Sequence, residues 1–426
     1  MPWLNPKRSP RGTRRPGLGT GRGTRLRIPG LLLGFTVALA VAGCVTRPPV
    51  EVPLASLPAA QRARATENVR VFHRVWDLVN RKHYDPKFQG AAWAELGVKH
   101  AAVAAAATDT AALYRVLNAM LEPLQDSHTQ AQSPDQAFDH RTRTRARTGF
   151  NLVRMDDVWV VSEVLPGSPA EAAGVQVGWI VVSRDGRPVG AQLDFRPQPG
   201  DAVGWEFRDL NERVVRVAPV AKVLSTGPRQ IARVLEGGWV YLRFDEFDAP
   251  DRRWLARQLA DHATAPGLII DLRRNPGGET FSLGITVGEF FDHRVDCGTF
   301  IRRDGGRSVK NSWQLGSARY RGKVAVLVDR NTGSAAEIFA AVMQDHGRAT
   351  VIGRRTAGAV LASVFYPLPD GGRLQLSRED YVAPKGRRIE GNGVEPDITV
   401  TRTLADLRAG RDPELDAALR VLKERK

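Results

Sequence analysis

Residues 323–343, K-V-A-V-L-V-D-R-N-T-G-S-A-A-E-I-F-A-A-V-M, place an apolar run, Val324–Val328, directly before a polar turn and an alanine-rich segment. An unbroken apolar run bounded by turn signals fits a strand buried on both faces, whereas an alternating run would mark a half-exposed one. The alanine-rich segment has helical spacing, so Ser334 would open a helix at the exit of a strand. Outward from here the pattern repeats. Upstream lie the strand W-V-Y-L-R-F (239–244), a helix over 251–263 and the buried strand G-L-I-I-D-L (267–272). Downstream come a helix over 334–346 and another buried strand, A-T-V-I-G (349–353). Alternating strands and helices make residues 229–405 an α/β core, with a C-terminal helix over 406–426.

The 426 residues, 42% of them hydrophobic, suffice for more than one domain. Residues 59–135 read as a helical domain: Val69, Val71, Phe72, Val75, Trp76, Leu78 and Val79 recur at helical spacing, then Trp93, Leu96, an alanine-rich stretch, Leu113, Leu117, Met120 and Leu121. H-R-T-R-T-R-A-R (140–147) reads as a solvated strand or linker. Between 147 and 222, short β-branched runs alternate with the turn signals P-G-S-P, D-G-R-P and Q-P-G-D, as in a compact β-rich module. The fold class is therefore α/β and multidomain.

Eight basic residues between Lys7 and Arg27, with no acid among them, carry half of the formal +16. An apolar segment comes next that is short for a membrane span and ends A-V-A-G-C. Residues 1–43 read as an export signal. The ending resembles a lipoprotein processing site, which implies lipidation of Cys44, a proline-rich tether over 44–58, and a protein anchored in the cell envelope and facing the periplasm. If Cys44 is acylated, Cys297 has no cysteine partner and the fold cannot rest on a disulfide. No aromatic-interleaved basic patch points to nucleic acid, no spacing of His, Asp and Glu to a metal, and no glycine loop to a phosphate cofactor.

Candidate chemistry lies at four places. Ser334 would sit near the positive end of a helix dipole, although G-S-A-A-E also reads as a capping box with Glu337. N-P-G-G (275–278) lets main-chain N–H groups approach a ligand, suiting an oxyanion hole built from Gly277 or Gly278 with Ala335, although a tight turn reads the same way. L-Q-D-S-H-T (124–129) offers Ser127 and His128. R-R-I-E-G-N-G-V-E-P-D (387–397) offers Glu390.

In this order, G-L-I-I-D-L-R-R-N-P-G-G, G-S-A-A-E, G-R-A-T-V-I-G-R-R-T-A-G and I-E-G-N-G-V-E-P-D-I resemble the S41 family of serine peptidases, the C-terminal processing and tricorn-type enzymes, over roughly residues 60–405. The C-terminal processing branch takes its base from a lysine, where this sequence has Ala359 in T-A-G-A-V. The tricorn-type branch uses a histidine after a serine, with a distant glutamate. That pattern implies Ser334 as nucleophile, His128 as base, and Ser127 and Glu390 as orienting groups. A neutral histidine base implies activity rising through pH about 6 to 7. T-G-F-N-L-V (148–153) and the string from Val161 to Val189 resemble a PDZ domain, which implies capture of a peptide's terminal carboxylate near Gly149 and Phe150. Trp179 stands where such modules usually have aspartate. His346 lies twelve residues beyond Ser334, roughly 18 Å along a helix, too far to serve it. Lys385 reads as an exposed turn lysine, Asp271 and Arg273 as an ion pair holding the glycine loop, and Asp397 as a turn former. The resulting expectation is an envelope-anchored serine endopeptidase acting on unstructured or C-terminal polypeptide segments. The alternative is an inactive lipoprotein that binds peptides or another ligand on the same fold.

Overall fold

The computed structural model describes residues 52, 54 and 58–424, apart from 156, 191–195, 228 and 316–318. The leader, Cys44 and all but three residues of the tether lie outside the described residues. No described helix is long and apolar enough to cross a membrane.

The helical region comprises α1 (Ala59–Lys82), α2 (Trp93–Ala105) and α3 (Thr110–Leu121). Helix α1 buries Val71, Phe72, Val75, Trp76, Leu78 and Val79, a stripe at the three-and-four spacing of one helix face. Trp76 stacks on Trp93 with ring centroids 6.3 Å apart. Helix α2 fits against that indole because Gly97 has no side chain; a Cβ there would lie 2.5 Å from Trp76 Nε1. Asp109 caps α3 by accepting the Ala112 N–H. The region is not wholly helical, as the sequence suggested. It continues into β1 (Gln130–Gln132) and α4 (Pro134–Thr142). The arginine-alternating stretch divides between the end of α4 and β2 (Thr144–Arg147), which pairs with a later strand, β9 (Lys222–Ser225).

The β-rich module holds β3 (Phe150–Met155), β4 (Val158–Val164), α5 (Pro169–Ala172), β5 (Ile180–Arg184), β6 (Arg187–Pro188), β7 (Trp205–Arg208) and β8 (Val214–Val217). Its antiparallel sheet has the order β3-β4-β5-β7-β8, with β6 on β5. Val161, Ala170, Val181, Trp205 and Phe207 form its core. Trp179 is a core residue packed on Phe207, with ring centroids 5.7 Å apart.

The remaining elements are β10 (Gln230–Val234), β11 (Val240–Phe244), α6 (Ala249–Asp261), β12 (Gly267–Asp271), α7 (Thr280–Gly288), β13 (Asp296–Arg302), β14 (Arg307–Asn311), β15 (Lys323–Val328), α8 (Ala335–Asp345), β16 (Thr350–Gly353), β17 (Ala362–Pro367), β18 (Arg373–Val382), β19 (Ile398–Thr399), α9 (Leu404–Arg408) and α10 (Pro413–Glu424). The main sheet runs β10-β11-β12-β15-β16-β19, parallel except where β10 meets β11. Alternation along its strands makes two cores. Leu242, Leu268, Ile270, Val324 and Val326 pack with Leu255 of α6 and Phe339 of α8. Tyr241, Ile269, Ala325 and Leu327 face Ala417, Ala418 and Leu422 of α10. The C-terminal helix, placed by sequence beyond the core, thus supplies the layer on its second face. A second sheet, β1-β18-β13-β14 with β17 on β18, was not anticipated. Leu374 and Leu376 of β18 join Leu117 and Met120 of α3 in one cluster. The pairing of β1 with β18, Ala131 opposite Leu374, fixes the chain immediately after D-S-H-T.

Candidate active site

Between β15 and α8 the chain turns sharply, and Ser334 adopts φ 51°, ψ −122°. A non-glycine residue in such a region costs on the order of 1–3 kcal/mol and persists only where its surroundings impose it. Here they do. Gly333 N donates to Asn275 O (3.0 Å), Ser334 N to Ala359 O (2.7 Å), and Thr332 Oγ1 to Leu272 O (2.9 Å). An ordinary N-cap residue has extended backbone angles. Ser334 does not, so the capping-box reading is only half realised: Glu337 Oε2 accepts the Ser334 N–H at 3.2 Å. The fully buried Glu337 carboxylate also accepts from Gly358 N and Ala359 N, both at 2.7 Å, and from Thr356 Oγ1. Its acidity is reduced chiefly by burial, against which these donors work. Glu337 therefore ties the serine turn to the 356–359 loop.

Gly277 lies against the serine: a Cβ there would stand 2.5 Å from Ser334 Cβ and 2.9 Å from Ala335 N. The sequence left Gly277 and Gly278 as alternatives here. Gly277 N donates to Asn275 Oδ1 at 2.9 Å, so this amide is already committed. Gly278 has φ 141°, and Ala335 is the first residue of α8. The expected Asp271–Arg273 pair is present, with Arg273 Nη2 2.7 Å from Asp271 Oδ2, and it extends to Asp412 at 2.8 Å. Arg273 and Tyr241 hold Asp271 down to about 2 although burial alone would raise it.

Ser127, His128 and Glu390 meet from opposite ends of the chain. Ser127 Oγ lies 2.6 Å from His128 Nδ1 and donates to Glu390 Oε2 at 3.0 Å; the Ser127 N–H donates to Glu390 Oε1 at 3.1 Å. With Glu390 ionised, the one hydroxyl hydrogen of Ser127 goes to the carboxylate. The hydrogen-bond pattern then assigns the imidazole proton to Nδ1, leaving the lone pair of a base on Nε2. Glu390 is pushed up by burial, against its bonds from Val360 and Ser127. Val360 N donates to Glu390 Oε2 at 2.9 Å, one residue after Ala359, whose carbonyl holds the serine amide. Main-chain and side-chain bonds thus run without a break from the strained serine to the imidazole.

The D-S-H-T loop is held by a residue that sequence reading passed over. The Asp126 side chain is wholly buried and accepts from the His128 and Thr129 amides (3.0 and 2.6 Å), Thr129 Oγ1 (2.7 Å) and Ser377 Oγ (2.9 Å). His83 Nε2 lies 2.7 Å from its other face. Burial works to raise Asp126, but His83 and Thr129 outweigh it and keep it low. An aspartate whose side chain binds amides two and three residues on is an Asx turn, the one local signal that could have revealed it. Asn275 was also missed; it is fully buried and donates to Phe244 O at 3.0 Å while accepting from Gly277.

A model of peptidase family S41 matches residues 238–400, and one of the tricorn protease C1 domain matches residues 64–122. The chain is 26% identical over 387 residues to the carboxyl-terminal-processing protease of Picosynechococcus sp., an alignment covering 86% of this chain and 92% of that protein. With that match over residues 238–400 and that relative over most of its length, the chain is a serine peptidase. Its fold is similar to the solved structure of the photosystem II D1 C-terminal processing protease, at TM-score 0.56 and 23% identity, covering 83% of this chain and 97% of that one. It is also similar to the tricorn protease, at TM-score 0.51 and 19% identity, covering 84% of this chain and 37% of that one.

The other ionisable candidates of this serine peptidase have partners of their own. His346 is the C-cap of α8, with Nε2 2.8 Å from Asp296 O. Lys385 is exposed in a turn whose amide binds Asp345. Asp397, read from sequence as a turn former, instead accepts from distant partners, the Val351 N–H at 2.8 Å and Gln344 Nε2 at 2.9 Å. Ala359 supplies only backbone.

Burial holds His128 below its ordinary value of 6.5, with Asp126 opposing that shift. A general base must be neutral to act, and lowering its pKa extends the neutral form to lower pH. The acid limb of kcat/KM is therefore expected to have its midpoint below 6.5, lower than the sequence alone suggested. A pH profile with that midpoint at 6.5 or above would remove His128 from the role of base.

Proposed function

We propose that this serine peptidase cleaves unstructured or C-terminal polypeptide segments through an acyl-enzyme. Ser334 Oγ attacks the scissile carbonyl, and His128 Nε2 takes the hydroxyl proton and later delivers it to the leaving amine. Ser127 relays the imidazolium charge to Glu390. The Gly278 and Ala335 amides receive the oxyanion. The hydrogen-bond line His128–Ser127–Glu390, tied through Val360 and Ala359 to the corner that holds the strained Ser334, supports this reading above all. The base is then histidine, as in the tricorn-type pattern, because position 359 is alanine.

The β-rich module is assigned, on its resemblance to a PDZ domain, to peptide capture at Gly149 and Phe150. Gly149 has φ 101°, and its carbonyl accepts from Leu165 N at 2.8 Å. Cys44 is assigned as the lipid anchor and the cell envelope as the location, both on the leader sequence.

A serine-directed phosphonate should label the purified protein on Ser334. Labelling should vanish in Ser334→Ala and fall steeply in His128→Ala; equal labelling of the variants would remove the catalytic assignment. A peptide bearing a photo-cross-linker beside its free C-terminus should mark residues 147–222 of Ser334→Ala, and marking confined to other regions would sink the capture role. Palmitate incorporation in cells should disappear in Cys44→Ser. If it persists, the anchor assignment fails.

A further inference from the structure

Strand β17 begins three residues after Ala359, whose carbonyl binds the nucleophile's amide. Three residues of extended chain span at most about 11 Å. Among the described strands β17 pairs only with β18, so its other edge presents unpaired backbone groups to an extended peptide. Beside it is a cavity of about 680 Å³ lined by Ala362, Ser363 and Val364 of β17, by Arg378 and Glu379 of β18, and by Arg302, Arg303 and Asp304 at the β13–β14 turn.

The charges in this cavity do not close on themselves. Arg302 faces Glu379 across the strands and lies 3.5 Å from Asp304, so it is matched. Just beyond that last paired position Arg303 and Arg378 both line the cavity, and their like charges repel. No carboxylate among the described residues lies within ion-pair distance of either guanidinium. Arg303 uses its donors on main-chain carbonyls, His83 O at 2.7 Å and Asn80 O at 3.2 Å. Arg378 donates to the Tyr366 hydroxyl, while its buried Nε has no partner among the described residues. Burial first, and Arg378 as well, hold Arg303 below its ordinary value, with Asp85 opposing.

We propose that this cavity is a substrate subsite for a carboxylate, taken between Arg303 and Arg378 from a peptide lying along the β17 edge two to four residues from the scissile bond. This rests on the peptidase reading above and adds a charge preference to it. The carboxylate comes from an acidic side chain or from the peptide's own C-terminus. Both offer the paired oxygens that a guanidinium fork accepts. Glu379, the remaining acid in the cavity, already faces Arg302, and it sets a limit of one carboxylate.

The test uses the Ser334→Ala protein, which binds without turnover, and a fluorescein-labelled unstructured decapeptide of Ala, Gly, Ser and Leu. Glutamine and then glutamate are placed at each internal position in turn. At one position glutamate should bind at least about tenfold more tightly than glutamine, the range of a hydrogen bond to a charged partner. Adding Arg378→Gln should bring that ratio to one, and Arg378→Lys should restore part of it. Adding Arg378→Glu should shift the preference to lysine at the same position. Because each variant is read as a ratio between two peptides, general loss of affinity does not affect the result. Peptides truncated to end at the responsive position, as free acids or amides, separate the two carboxylate sources. A ratio near one at every position, no binding of any glutamate peptide, or a ratio unchanged in Arg378→Gln overturns the subsite. Failure of the phosphonate labelling while the ratio persists would overturn the catalytic reading and leave the subsite standing.

Discussion

Ser334→Ala is expected to lower kcat for peptide cleavage about 10⁶-fold, and His128→Ala by a comparable factor, with the double variant no worse than either alone. The reason is that the two groups act in one step. Once the hydroxyl is gone there is no proton for the imidazole to take, and once the imidazole is gone the hydroxyl stays a weak nucleophile. The residual rate comes from oxyanion stabilisation and binding. The check is single-turnover cleavage of an unstructured fluorogenic peptide by the three variants. Effects that simply multiplied would show that the residues serve different steps. A Ser127→Ala variant then separates the relay from the base: the base persists, but its link to Glu390, 3.0 Å from Ser127 Oγ, is cut.

Gly277→Ala should be the most damaging single-methyl change near the site, with kcat falling about 10²–10³-fold, the range for losing one oxyanion donor, and KM moving little. The new Cβ would meet Ser334 Cβ at 2.5 Å and Ala335 N at 2.9 Å, so the serine, the helix start or the glycine loop must move. Gly410→Ala is the matched control. Gly410 also has positive φ, 67°, yet nothing lies within 4 Å of its added methyl. Both variants carry backbone strain, and only one should disturb the donors. If Gly277→Ala retains wild-type kcat, the oxyanion site is elsewhere.

Much of the fold was legible because it is local. Val324–Val328 and Leu268–Ile270 carry no polar residue, and only strands buried on both faces tolerate that. The second sheet was not legible. It joins β1, β13, β14, β17 and β18 from positions 130 to 382, and pairing across such separations leaves no periodic trace. The role of α10 was hidden for the same reason: its apolar face shows that it packs, without showing that it packs beneath Ile269 and Leu327. In the active site, residue types were readable and their commitments were not. N-P-G-G announces free amides, yet nothing in the four letters tells that the Asn275 side chain consumes one of them. G-S-A-A-E announces a cap, and only the backbone angles of Ser334 show that the position is strained.

By itself the sequence determined four of the six main-sheet strands, helices α6 and α8 packed on them, and the residue types able to act as nucleophile, base and acid. It could do so because periodicity and side-chain chemistry are properties of each segment. Only the tertiary structure decided that Glu390 meets Ser127 across 263 positions, that Asp126 and His83 hold the histidine loop, and that the Gly277 amide is committed to Asn275. Those outcomes depend on which donors and acceptors burial brings together, and a hydrogen bond between distant segments exists only once the chain has closed on itself.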